Sequence, residues 1–191
     1  SGTQSVKFEG IYTPAVTPFG PGGEIDRAEF ANQLESLIAA GVHGIIVGGS
    51  TGEYYAQTAE ERRDLAAHAK EVKKGRTALI VSTGATRTED SVAYAKHARE
   101  IGADAIMIAS PPYALPTERE NAVHALTIDR AANLPVMLYN SPGRTGVMMG
   151  QTFLSRVGRS KNFQAIKESS GDINRVHLLA REFPHIEMSC G

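Results

Sequence analysis

Short β-branched runs alternate with amphipathic stretches along this chain, and that alternation restricts the fold more than any other feature. A strand, a crossover helix and a second strand run parallel, so repeated units of this kind build a parallel sheet covered by helices. Seven runs have strand length and composition: Ile11 to Val16, Gly44 to Val47, Ala78 to Ser82, Ala105 to Ala109, Val136 to Tyr139, Gln164 to Ile166 and Ile186 to Ser189. The stretch after the first carries Phe30, Leu34, Leu37 and Ile38 at helical spacing, and the one before the last carries Val176, Leu179, Ala180 and Phe183. Each predicts a helix with one apolar stripe to lay on the sheet.

The punctuation agrees with the periodicity. Asp26 with Glu29, Thr58 with Glu61 and Thr117 with Glu120 have the spacing of a capping box, in which the first side chain bonds an orphan amide and the acid three residues on answers it. Gly41 and Gly102 stand in near-repeats, Ala40-Gly41-Val42-His43-Gly44-Ile45 and Ile101-Gly102-Ala103-Asp104-Ala105-Ile106. Each glycine falls where a helix must turn through a left-handed residue into the next strand. Periodicity does not fix strand order, and a dinucleotide-binding doubly wound sheet is the main rival. No G-x-G-x-x-G follows any strand, which disfavours it. The expected architecture is therefore α/β, a (β/α)8 TIM barrel with about seven of its strands present: an N-terminal tail over 1–9, then an incomplete barrel over 10–191. A complete barrel takes about 250 residues, so a fragment, a truncated form or a fold completed in trans are the alternatives.

Composition narrows the chemistry. With 41% hydrophobic and 21% charged residues the 191-residue chain has the make-up of a globular domain. Its 20 basic residues are scattered and its net charge is −1, so it lacks the footprint of a nucleic-acid binder. Cys190 is the single cysteine, and His43, His68, His97, His124, His177 and His185 show no ligand spacing. A reduced, metal-free protein is expected. The apolar runs are of strand length rather than membrane length, and the reading is of a cytoplasmic protein acting on small molecules, with no nucleic-acid or membrane partner.

Barrel enzymes carry their chemistry at the C-terminal ends of the strands, and the reactive side chains near those ends are few. Gly48-Gly49-Ser50-Thr51-Gly52-Glu53 is a strand-to-helix loop whose glycines let amides approach an anion and whose hydroxyls can donate to it; the plainer reading is a tight turn. Lys167 follows Phe163-Gln164-Ala165-Ile166 directly. A dry strand end would partly desolvate its amine and favour the neutral nucleophile that imine formation needs; otherwise it is a strand-end lysine paired with Glu168 or solvent. Tyr139 ends Val136-Met137-Leu138, where a phenol could relay protons, or sit as a rim aromatic. Arg144, on the turn Ser141-Pro142-Gly143-Arg144-Thr145-Gly146, could aim its fork at a carboxylate or simply face solvent. Tyr113, in Ser110-Pro111-Pro112-Tyr113-Ala114-Leu115-Pro116, is either functional or loop packing. Their conjunction on one face of one barrel sets them apart from isolated surface residues.

Gly49-Ser50-Thr51-Gly52-Glu53, Tyr139-Asn140-Ser141-Pro142 and Ile166-Lys167-Glu168-Ser169-Ser170-Gly171, in that order and at these separations, resemble the motifs of the dihydrodipicolinate synthase and N-acetylneuraminate lyase family of class I, Schiff-base aldolases. The resemblance runs from Gly10 onward. It implies that Lys167 forms an imine with pyruvate, that Ser50 and Thr51 hold the pyruvate carboxylate and that Tyr139 shuttles protons. It further implies that Tyr113 reaches a neighbouring subunit's site to complete a relay in which Ser50 replaces the usual threonine. Arg144 matches the arginine with which synthases receive a second carboxylate, and argues against a sialic-acid substrate. Tyr54-Tyr55 and Ala114 depart from the synthase pattern, and the Pro-Gly-Arg-Thr-Gly and Lys-Glu-Ser-Ser-Gly-Asp segments also resemble catabolic relatives that deaminate hydroxypyrroline carboxylates or dehydrate keto-deoxy sugar acids. A catalytically silent paralogue is the reading from another class. The family implies no cofactor beyond the covalent lysine imine, a homo-oligomer (dimer or tetramer), and an eighth strand with a C-terminal helical region.

Overall fold

The computed structural model describes residues 8–49 and 57–190, with the side chain of Cys190 left aside. Seven parallel strands follow one another around the sheet in sequence order: β1 Tyr12–Pro14, β2 Gly44–Val47, β3 Ala78–Ser82, β4 Ala105–Ala109, β5 Val136–Asn140, β6 Phe163–Glu168 and β7 Glu187–Cys190. Every neighbouring pair is parallel. The helices are α1 Arg27–Ala39, α2 Ala59–Lys73, α3 Thr88–Glu100, α4 Glu118–Ala132, α5 Pro142–Thr145, α6 Gln151–Val157 and α7 Ile173–Glu182. Sequential order removes the doubly wound alternative, in which the strand order reverses. The sheet curls as seven β/α units of a (β/α)8 barrel, with β1 and β7 at its edges.

Three strands have the bounds that composition predicts, and four differ for local reasons. β1 is shorter at both ends because the amide of Ile11 goes to the His43 imidazole (2.9 Å) and that of Val16 to the Gln33 side chain (2.7 Å) instead of entering the ladder. β5 gains Asn140, β6 runs from Phe163 to Glu168, and β7 starts one residue late.

Side chains alternate across each strand and sort into two apolar layers. The outer layer lies between sheet and helices and holds Ile45, Val47, Leu79, Val81, Ile106, Ile108, Leu138 and Ile166 against Phe30, Leu65, Ile128 and Phe153. The inner layer holds Ile46, Ile80, Ala105, Met107, Met137 and Ala165, with Tyr12 and Tyr139 packed on it. Phe8 also joins the inner layer, its ring 5.9 Å from that of Tyr12.

Helix ends follow the caps with one exception. Thr58 with Glu61 and Thr117 with Glu120 make both halves of the box. Asp26 accepts from the Glu29 amide (3.0 Å), but its own amide already bonds the Pro18 carbonyl, so Glu29 has nothing to answer. Gly41 and Gly102 take φ of 82° and 76°, the left-handed turn expected of them. The α7 stripe is a correction: Leu179 and Phe183 are buried, yet Ala180 is exposed and Arg175 lies inward in its place.

Candidate active site

A β-bulge decides where Lys167 points. Val136 of β5 pairs with Phe163 of β6, but the next residue, Met137, pairs with Ala165, so Gln164 is the extra residue. Phe163 faces the helix layer. Under strict alternation Ala165 and Lys167 would face it too. The inserted Gln164 resets the phase, so Ala165 joins the inner layer and Lys167, two residues on, projects inside the barrel. Lys167 thus lies within β6, second from its end, rather than after it.

The same ladder sets Tyr139 opposite Lys167. The Lys167 ammonium stands 5.3 Å from the centroid of the Tyr139 ring, within reach of a cation–π contact. Both side chains are half-buried, and Tyr139 packs on the inner apolar layer that holds Met137 and Ala165. Burial pushes the phenol pKa up, but hydrogen bonds to Ser141 and Ser169 and the charges of Arg144 and Lys167 together outweigh it. The net displacement is below the ordinary value of 10.0. A phenol so placed gives up its proton more readily than a free one, as a proton relay requires.

Arg144 comes from α5, a single turn begun by Pro142 and closed by Gly146 at φ 74°. Its guanidinium is exposed and close enough for its charge to act on Tyr139. The β4–α4 loop leans on this turn. A Cβ built on Gly146 would stand 2.8 Å from Leu115 Cδ2, so the leucine occupies the space a side chain there would take. Tyr113, in the same loop, is 92% exposed with φ of 64°. It projects into solvent, while its loop is anchored by Asn121 donating to Ser110 (2.8 Å).

Lys167, Tyr139 and Arg144 are therefore brought together, and Tyr113 stands apart from them. Ser50 and Thr51 lie outside the described residues, although Gly48 and Gly49 lead toward them from the end of β2. The suggested pairing of Lys167 with Glu168 is corrected. Glu168 faces the opposite side of the sheet, 4% exposed, and its carboxylate is held by Arg175 Nε (2.7 Å) and Asn140 Nδ2 (2.7 Å). Sequence reasoning also missed Ser141 and Ser169, the hydroxyl partners of the phenol. Their positions, two residues beyond Tyr139 and Lys167, were the available signal. Among the described residues no cluster of three His, Cys, Asp or Glu side chains could hold a metal ion, and no helix is long and apolar enough to cross a membrane.

Residues 7–191 match the dihydrodipicolinate synthetase family. The chain is 37% identical over 178 residues to the 4-hydroxy-tetrahydrodipicolinate synthase of Salinibacter ruber, an overlap covering 93% of this chain and 59% of that protein. A dihydrodipicolinate synthase structure from Bacillus anthracis superposes with a TM-score of 0.91 at 34% identity, over 98% of this chain and 64% of the other. A prophage protein of the same family from E. coli K12, solved in complex with pyruvate, gives a TM-score of 0.90 at 30% identity over 96% of this chain and 63% of its own. The chain thus spans about 60% of the length of the relatives it matches.

Proposed function

Since the chain belongs to the dihydrodipicolinate synthetase family, we propose that it carries the imine-forming centre of a pyruvate-dependent class I lyase or synthase. The observation that carries this reading is the Lys167 amine facing the Tyr139 ring at 5.3 Å on the inner face of the barrel. The neutral amine of Lys167 attacks the 2-oxo carbon, a C–N bond forms, and the carbonyl oxygen leaves as water with protons relayed by Tyr139. Loss of a proton from C3 then gives an enamine, with the protonated imine as the electron sink, so the chemistry calls for no metal or organic cofactor. In the synthase reading the enamine adds to aspartate semialdehyde while Arg144 grips its carboxylate in a forked pair. Ser50 and Thr51 hold the carboxylate of the 2-oxo acid, and Tyr113 serves a neighbouring subunit of a homo-oligomer, its 92% exposure fitting a side chain offered outward. The E. coli relative solved with pyruvate supports the choice of first substrate.

A second reading keeps Lys167 and Tyr139 and changes the substrate to a hydroxypyrroline carboxylate or keto-deoxy sugar acid, from which the enamine expels ammonia or water. Bulky Tyr54-Tyr55 and Ala114 depart from the synthase pattern, and the Pro142-Gly143-Arg144-Thr145-Gly146 and Lys167-Glu168-Ser169-Ser170-Gly171-Asp172 segments also resemble such relatives. Borohydride reduction in the presence of pyruvate, followed by peptide mass spectrometry, tests the shared step. A reduced pyruvyl adduct is expected on Lys167 and is absent from Lys167→Ala; well-folded protein that gives no adduct overturns the reading in favour of a catalytically silent chain. Comparing aspartate semialdehyde plus pyruvate with hydroxypyrroline carboxylate separates the two substrate classes.

A further inference from the structure

Behind the Lys167–Tyr139 pair, on the other face of the sheet, lies a buried polar node that the reaction does not touch. Asn140 follows Tyr139, Glu168 follows Lys167, and the two are register partners one step along the ladder from Tyr139 and Lys167. Asn140 is 1% exposed, Glu168 4% and Arg175 of α7 6%. Both carboxylate oxygens of Glu168 accept: Oε1 from Asn140 Nδ2 (2.7 Å) and the Ser170 amide (3.3 Å), Oε2 from Arg175 Nε (2.7 Å). The second end of Asn140 is as fully engaged, its Oδ1 accepting from the Met149 amide (3.0 Å), and its backbone carbonyl accepts from the Ser169 amide (3.0 Å).

We propose that Asn140, Glu168 and Arg175 are positioning residues that fix the register of β5 against β6 and thereby the approach of the Tyr139 phenol to the Lys167 amine, on the reading that Lys167 forms the imine. A carboxylate in an apolar layer is tolerated only while paired and hydrogen-bonded. A slip of one residue along the ladder would strand Glu168 and rotate Lys167 to the wrong face. The bulge at Gln164 aims Lys167 inward, and this node keeps the aim fixed at the opposite end of the strand. Ser169, a Tyr139 hydroxyl partner, is tied to the Asn140 backbone, while the Asn140 side chain holds Met149 in the segment that follows the Arg144 turn.

The test uses two readouts on the chain: the rate of borohydride-trapped pyruvyl adduct across pH and pyruvate concentration, and the titration of Tyr139 followed by 13C NMR of ζ-labelled tyrosine, assigned by its loss in Tyr139→Phe. Asn140→Ala leaves the Glu168–Arg175 pair in place, and its fold is checked by circular dichroism before either readout is taken. It is expected to slow adduct formation at saturating pyruvate about tenfold or more, with half-saturation little changed, and to move the Tyr139 titration upward. In Glu168→Gln one amide end must face a donor, either Asn140 or Arg175, and the same losses are expected. The double variant Glu168→Gln with Arg175→Met lets the amide oxygen accept from Asn140 with no charge left unpaired, and is expected to recover both readouts. Folded Asn140→Ala with adduct rate and Tyr139 titration unaltered overturns the proposal. A double variant as impaired as Glu168→Gln also overturns it, by assigning the effect to lost charge. If the unaltered chain gives no adduct, the imine reading fails alone, and the Tyr139 titration still decides the positioning role.

Discussion

Tyr139 and His124 are both displaced from ordinary titration, by opposite balances of the same forces. At Tyr139 burial is outweighed by hydroxyl partners and nearby cations, which makes the phenol a readier proton donor. At His124, 7% exposed in α4, burial dominates and holds the imidazole pKa below 6.5, while a bond to the Ala109 backbone pulls weakly the other way. Its Nδ1 lies 2.8 Å from the Thr88 hydroxyl. A base whose folded pKa is depressed takes up a proton on unfolding, so its contribution is complete above about pH 6.5 and is lost as pH falls toward the folded value. His97, shifted down by burial and then by the charge of Arg63, acts in the same sense. Urea melts from pH 7 downward are expected to show stability falling below about pH 6.5, with a shallower fall in His124→Gln. An identical slope in that variant would remove His124 from the account. Neither environment was legible in the sequence. Lys167, Tyr139 and Arg144 stood out because motifs flank them, whereas Ser141, Ser169 and Thr88 acquire their partners only through packing, which a one-dimensional pattern does not encode.

At the scale of elements, the bulge in β6 carries the argument. Periodicity found Gln164 to Ile166 as a strand but could not show that Gln164 is surplus to the ladder. A run of three residues looks the same with or without a register shift. The inward turn of Arg175 was hidden for a related reason. A search for an apolar stripe on α7 passes over an arginine, and only the buried Glu168 carboxylate draws it in. By contrast β2, β3 and β4 were read at their observed bounds, since their β-branched runs are dense and end at glycine or polar residues. The bulge makes a sharp prediction. Gln164→Ala keeps the residue count and removes only a marginal 3.5 Å bond to the Lys161 carbonyl, so stability within about 0.5 kcal/mol and an unaltered borohydride adduct are expected. Deleting Gln164 removes the surplus residue and leaves Phe163 outward and Ala165 inward in plain alternation, so Lys167 keeps its face and the adduct is retained, whereas deleting Ile166 from the paired ladder turns Lys167 outward and abolishes it. An adduct surviving the Ile166 deletion would show that Lys167 reaches the site from either face of the strand.

Across the whole molecule, each strand pairs only with its sequence neighbours, so support for a strand depends on its rank in the sheet. β3, β4 and β5 are laddered on both sides, and the helices over them, α3 and α4, bury Ala95, Ala98, Ala122, Ala125, Ile128 and Ala132 against one layer. An ion pair from α2 reinforces this region. Lys73, 5% exposed at its side chain, stands 3.1 Å from Asp104, whose carboxylate also receives the Leu79 amide at 2.8 Å. β1 and β7 each lack a strand on one side in the described sheet, and β1 is short and ends on a proline with no amide to donate. Local opening draws on elements with few buried contacts. Hydrogen exchange on the chain is therefore expected to be graded: amides of Ile80, Ile106 and Leu138 exchange slowest and track global unfolding, while those of β1 and β7 exchange faster by local opening. Asp104→Asn tests the cause of the gradient. It leaves the buried Lys73 without its counter-charge, a loss of about 3 kcal/mol for such a pair, and should raise exchange at Leu79 and across β3 with little effect on the already fast edges. Uniform protection from β1 to β7 would mean that the sheet opens only as a unit, with edge position contributing nothing to local stability.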